Sequence, residues 1–300
     1  MTEPAAVLLV DKPGGPTSHD VVEVARRALG RRRVGHTGTL DPFASGLLIL
    51  CVGRATRLVE YFHLLPKSYE AGIVFGEARD TDDRTGVVTA RGEVGPELDA
   101  ARLEAALAAS RGESEQRPPD FSARRKEGRR AHEAARAGEP LALEARPVEV
   151  RTARLLAWDP PHARVLYEVS TGTYVRALAR DLGQALGCPA HLDALRRTRI
   201  GPFDAGDADR PADIAWDAPG ALSPFAALAW LPARELTADE RTAIGYGQAI
   251  ECGRIDPPAT VALGLEPDGL PVALHEAGEL VAIGRRVDAG IRPEKVFDAS

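Results

Sequence analysis

The chain has 300 residues, 44% hydrophobic and 27% charged, with a formal net charge of −6. That length buries a substantial core and sits between one large domain and two, and two is the expectation. The negative balance argues against indiscriminate polyanion binding, and three widely spaced cysteines, Cys51, Cys188 and Cys252, fit a reduced, cytoplasmic chain rather than a disulfide scaffold.

Residues 5–10 form an apolar run with no basic stretch before it and Asp11-Lys12-Pro13 after it, which reads as a strand rather than a signal peptide or membrane span. A turn-rich loop follows, and Thr17 with Asp20 approximates a capping box for a helix whose Val21, Val24, Ala25, Ala28 and Leu29 recur at helical spacing until Gly30. Residues 35–41, ending in Leu40-Asp41 before Pro42, are a glycine- and threonine-rich turn presenting His36 and Asp41. An aspartate there either caps the turn or serves as a catalytic carboxylate. The apolar run 46–52 is a buried strand or a short core helix, which periodicity does not separate. Cys51 within it reads as a buried thiol.

Residues 71–75 and 87–89 read as strands, and the acidic segment 79–86 between them as a solvated hairpin turn without calcium-loop spacing. Residues 98–110 are an alanine-rich helix. Residues 111–140 are polar, basic and proline-containing, the pattern of a mobile arm that orders on a partner. Alternation of Val165, Tyr167 and Val169 marks a strand, and Val175, Leu178, Ala179, Leu182 and Leu186 line one face of a helix ending at Gly187. Cys188-Pro-Ala-His191 has the spacing of one half of a zinc site, but no second half with comparable spacing exists, so no metal is expected. Beyond residue 204 the composition reads as a linker ending near Pro232. Strand-like runs at 260–263, 271–274 and 279–283 then suggest a small β-rich domain.

Positive charge is concentrated in three clusters: Arg26, Arg27, Arg31, Arg32 and Arg33; Arg124, Arg125, Lys126, Arg129, Arg130 and Arg136 against Glu127 and Glu133; and Arg196, Arg197 and Arg199. Each alone fits a solvated face. Together, on an acidic chain, they suggest a local footprint for a nucleic acid.

Four separated motifs carry a resemblance. They are Asp11-Lys-Pro-Gly-Gly-Pro-Thr-Ser-His-Asp20, Arg33-Val-Gly-His-Thr-Gly-Thr-Leu-Asp-Pro-Phe-Ala-Ser-Gly46, Pro66-Lys-Ser-Tyr69, and Ser170-Thr-Gly-Thr-Tyr-Val-Arg-Ala-Leu-Ala-Arg-Asp-Leu-Gly183 with His191-Leu-Asp-Ala-Leu-Arg-Arg197. In these, over roughly residues 5–200, the chain resembles the bacterial tRNA pseudouridine-55 synthases of the TruB type. The resemblance implies an α+β fold: a mixed, largely antiparallel catalytic sheet over residues 1–230, with 111–140 as an RNA-binding arm, and a PUA-like RNA-binding module over 231–300.

The implied activity is isomerisation of uridine 55 in the T-loop of tRNA by base flipping, glycosidic cleavage and reattachment through C5, without cofactor, metal, membrane or protein partner, in a monomer. Asp41 matches the catalytic aspartate, Arg176 the arginine that pairs with it, and Tyr69 the tyrosine that stacks on the base and helps remove the C5 proton. His36 matches the histidine that fills the space of the flipped base. Lys12 supports the catalytic loop or a phosphate, Leu195 packs on the base, and Tyr174 supports the pocket. The arm departs from the pattern at Phe121, Ala131-His132 and Ala134, where relatives carry tyrosines, so its contacts shift from stacking toward phosphates. Two other readings remain: a tRNA-binding or folding factor without catalysis, and a hydrolase using Asp41 as nucleophile.

Overall fold

The computed structural model describes residues 4–122, 125–126, 129–139, 141–258, 265, 269–288 and 290–297. The strand expected at 260–263 and the cluster residue Arg124 lie outside them. The described elements are, in order, β1 (Ala6–Lys12), α1 (Ser18–Leu29), β2 (Val34–His36), β3 (Ser45–Val52), α2 (Val59–Phe62), β4 (Lys67–Phe75), β5 (Glu77–Arg79), β6 (Val88–Arg91), α3 (Ala100–Ala109), β7 (Gly112–Gln116), β8 (Arg125–Lys126), β9 (Arg129–Arg130), α4 (Ala131–Arg136), β10 (Arg146–Asp159), β11 (His162–Val169), α5 (Val175–Leu186), β12 (Ala190–Ile200), β13 (Phe203–Asp204), β14 (Ala221–Leu222), β15 (Ala233–Glu235), α6 (Ala238–Gly245), β16 (Ile250–Glu251), β17 (Val272–Glu276), β18 (Glu279–Val287) and β19 (Gly290–Val296). The mixed α+β fold class is as the resemblance implies.

The helix signals hold at atomic level. Thr17 and Asp20 form a capping box at the start of α1, and Gly30 closes it in the left-handed conformation that glycine adopts without a Cβ clash. Gly187 closes α5 in the same way. The run around Cys51 is the strand β3, and Cys51 is fully buried.

The chain divides into two compact units, residues 1–41, 47–63 and 201–300 in the first and 42–46 and 64–200 in the second. In the first, Ala6, Leu8 and Val10 of β1 pack with Val21, Val22, Ala25 and Leu29 of α1 and Leu48, Leu50 and Val52 of β3. The expected linker after residue 204 is ordered against β1 instead: Val7 pairs with Leu222, and the Leu9 amide donates to the Gly220 carbonyl at 2.9 Å. Its Asp-, Ala- and Gly-rich composition hides main-chain pairing that needs no apolar side chains. The same unit holds a five-stranded sheet, β15-β17-β18-β19-β16, over a core of Leu236, Ile244, Val272, Leu274, Val281 and Ile291.

In the second unit the antiparallel path runs β12-β4-β11-β10-β7. One element here departs from the sequence reading and another carried no strand signal. Residues 112–116, expected in a free arm, form the edge strand β7, whose charged side chains suit an edge and whose order comes from main-chain bonds to β10. Strand β12 lacks alternation in sequence because its register shifts between Leu192 and Ala194 and again between Arg197 and Arg199.

Ser45 and Gly46, the first residues of β3, pair in parallel with Arg196 and Arg197 of β12. Gly46 has φ +104°, and a Cβ there would lie 2.2 Å from the Arg197 carbonyl oxygen. The chain passes here because position 46 has no side chain. Gly46→Ala is expected to destabilise the fold by about 2–4 kcal/mol in urea unfolding, from positive φ and backbone overlap together.

Candidate active site

The Asp41 turn is built on the start of α1. Ser18 is 2% exposed; its hydroxyl donates to the Leu40 carbonyl at 3.1 Å and accepts the Leu40 amide at 2.9 Å. Upstream, the Thr37 amide donates to the Ile49 carbonyl at 3.0 Å, and His36 pairs with Leu50 across the β2–β3 ladder. Asp41 is therefore the first residue beyond a fixed Leu40, half-buried, and directly precedes the segment that packs at Gly46 on Arg197. Lys12 is fully buried at the end of β1, where its ammonium donates to the Pro13 and Pro16 carbonyls at 2.9 and 2.8 Å and shapes the loop entering α1.

Lys12, His36 and Asp41 lie in the first unit; Tyr69, Tyr174, Arg176 and Leu195 lie in the second. Tyr69 is 7% exposed on β4, with Tyr167 of β11 and Arg197 of β12 opposite it. Leu195 stands opposite Ala71, so Tyr69 and Leu195 occupy neighbouring positions on one face of adjacent strands. Tyr174 is the N-cap residue of α5, and Gln116 holds its backbone from both sides: the Tyr174 amide donates to Oε1 at 2.8 Å and its carbonyl accepts from Nε2 at 3.1 Å.

Arg176, an exposed helix residue by periodicity alone, is 4% exposed. Its guanidinium lies 3.5 Å from the Asp83 carboxylate and donates to the Thr81 and Phe121 carbonyls at 2.9 and 3.0 Å. One helical turn on, Arg180 meets the Asp82 carboxylate at 2.9 Å and donates to the Arg117 carbonyl at 3.0 Å. The acidic segment is the expected hairpin turn, joining β5 to β6, but Asp82 and Asp83 are turned inward rather than solvated. Asp83 is 4% exposed, and burial pushes the Asp82 carboxyl up to about 6 against the opposing pull of Arg180 and Arg176. The available signal was the pairing of adjacent acids with arginines at i and i+4 of one helix face. His191 belongs to the packed core: it is 3% exposed with Nδ1 2.9 Å from the Glu77 carbonyl, a contact that the Nδ1–H tautomer makes.

A sequence profile described as "TruB family pseudouridylate synthase (N terminal domain)" matches residues 26–175, and one described as "tRNA pseudouridylate synthase B C-terminal domain" matches 176–215. The chain belongs to the TruB family of pseudouridylate synthases. Relatives named tRNA pseudouridine synthase B include one from Parasynechococcus marenigrum (strain WH8102), 41% identical with both chains covered completely. Another, from Azoarcus sp. (strain BH72), is 44% identical over 97% of this chain and 94% of its own. Among solved structures, the archaeal box H/ACA sRNP Nop10-Cbf5 complex is 26% identical with a TM-score of 0.71, covering 98% of this chain and 86% of that chain. A Cbf5-Nop10-Gar1 complex gives 26% identity and a TM-score of 0.73, covering 98% of this chain and 85% of that chain. This TruB-family chain is accordingly an isomerase that forms pseudouridine in tRNA. Among the described residues no helix is long and apolar enough to cross a membrane.

One cation in the TruB-family motifs was not assigned from sequence. Lys67, two residues before Tyr69, is 6% exposed and donates to the Leu65 carbonyl at 3.0 Å and the Thr171 hydroxyl at 3.1 Å. Burial, with Arg197 beside it, pulls its amine down from 10.5 to about 7. Below pH 7 both folded and unfolded chains carry the proton, and the fold bears the whole desolvation cost. Between 7 and 10.5 the folded chain releases it first, so stability rises with pH. Lys67→Met is therefore expected to stabilise the protein by a few kcal/mol at pH 6, a gain of order ~1.4 kcal/mol less for each pH unit above 7. Thermal unfolding across pH 6–10 checks it: a gain independent of pH contradicts a depressed Lys67.

Proposed function

We propose that the target is uridine 55 in the T-loop of tRNA and that Asp41 is the catalytic carboxylate. What supports this most is the way Leu40, the residue before Asp41, is fixed by the buried Ser18 hydroxyl at both its amide and its carbonyl. A carboxylate on so constrained a turn meets a flipped nucleotide with little loss of conformational freedom. Arg176 supplies the cation that keeps that carboxylate ionised, and Tyr69 stacks on the base and assists removal of the C5 proton. His36 fills the space the base vacates, Leu195 packs on the base, and Lys12 and Tyr174 hold the surrounding loops. In this reading residues 1–230 are catalytic, the part of 111–140 beyond β7 forms the RNA-contacting arm, and 231–300 are a PUA-like module against the acceptor side of the tRNA. The enzyme works as a cytoplasmic monomer without cofactor.

Tritium release from a tRNA transcript carrying C5-tritiated uridine tests the reading, with the modified base mapped. The native protein is expected to release tritium at one T-loop uridine. Asp41→Asn should lower the rate by about 10³-fold or more while the tRNA Kd stays within about twofold. Release at another position overturns the assignment of uridine 55, free uracil indicates a hydrolase, and an active Asp41→Asn removes that residue from the chemistry.

A further inference from the structure

On one face of β4 the side chains of Lys67, Tyr69 and Ala71 are all buried, and β12 sets Ile200 opposite Lys67 and Arg197 opposite Tyr69. Lys67 and Arg197 are 6% and 1% exposed. The two acceptors of the Lys67 ammonium, the Leu65 carbonyl and the Thr171 hydroxyl, are neutral, and among the described residues no carboxylate pairs with it. A buried cation opposes folding unless a negative charge answers it. Among the described residues none answers Lys67, and a bound substrate is a source of such a charge. Sites of chemistry are where such local costs are retained.

We propose that Lys67 is a buried cation that stabilises the negative charge developing on uracil as its glycosidic bond breaks. The proposal rests on the reading of Tyr69 as a residue that contacts the base. When the N1–C1′ bond breaks, its electron pair leaves with the base as a uracil anion. The deficiency at C1′ is met by a bond from a carboxylate or by loss of the neighbouring ribose proton. After rotation, a pair from the base forms the C5–C1′ bond as the carboxylate leaves C1′ or the ribose proton is returned; C5 then gives up its proton and N1 gains one, so the net change is isomerisation. The anion exists only between cleavage and rejoining. A fixed cation beside it lowers the barrier without tightening ground-state binding, because the interaction is made only where the charge appears. A backbone phosphate is the other negative charge a tRNA brings, but it is present in the ground state and would register in Kd and in its salt dependence.

The test is single-turnover glycosidic cleavage of full-length tRNA transcripts carrying uridine or 5-fluorouridine, by the native protein and by Lys67→Met, Lys67→Gln and Asp41→Asn. Fluorine withdraws electrons and stabilises the departing base, which then depends less on an external cation. Lys67→Met is expected to slow the uridine substrate by about 100-fold, the scale of removing one transition-state charge stabiliser, and the fluorinated one by about tenfold or less. The tRNA Kd should stay within about twofold, the range for an interaction made only in the transition state. Lys67→Gln, similar in length and still a donor but uncharged, should match Lys67→Met, and thermal unfolding of both separates lost charge from lost fold. Equal slowing of both substrates, or no slowing, overturns the proposal, as does weaker binding with a shallower salt dependence, which makes Lys67 a phosphate contact. A fully active Asp41→Asn refutes the parent reading of the site, and the dependence of the Lys67 effect on fluorine is scored independently of it.

Discussion

The crossing at Gly46 is the constraint on which much else in the second unit rests. Five residues after Asp41 the chain runs against the main chain of Arg197 at a separation that leaves no room for a β-carbon. A contact between two backbones is set by hard-sphere repulsion, so it varies far less than one made by side-chain tips. It fixes where β3 begins beside β12. Through the antiparallel β12–β4 ladder it also fixes the Arg197–Tyr69 pairing and the burial of Lys67.

Buried charge is the second organising feature. Arg176 with Asp83 and Arg180 with Asp82 tie α5 to the β5–β6 turn, and the same arginines donate to the carbonyls of Phe121 and Arg117. Such pairs contribute little net stability after desolvation, but breaking one leaves a charge stranded in the interior, which makes the arrangement specific. Arginine suits both positions, since its planar fork serves a carboxylate and a carbonyl together. The segment after β7 is thereby anchored at its beginning, even though its composition reads as free. Lys67 is the contrasting case, held by neutral acceptors and pulled toward neutrality by its surroundings.

The family motifs were legible because each combines rigid turn chemistry with a reactive side chain. Thr17 and Asp20 announce the start of α1, Gly30 and Gly187 announce helix ends, and alternation marks β11. Less legible were elements whose order comes from partners rather than from their own side chains. Strand β7 consists of Gly-Glu-Ser-Glu-Gln and is defined by β10; β14 and its neighbours are defined by β1; β12 hides its alternation behind two register shifts.

By itself, then, the sequence determined the local geometry of the helix caps, the apolar faces of α1 and α5, and the set of residues through which the TruB resemblance is recognised. Capping, periodicity and turn preference act within a few residues, so they can be read without the fold. Only the tertiary structure decided that Asp83 is buried on Arg176 rather than solvated, that Gly46 must lack a side chain because of Arg197, and that Lys67 is a buried cation beside another. Each of these depends on residues far apart in sequence, and their desolvation and packing energies exist only once distant segments have met.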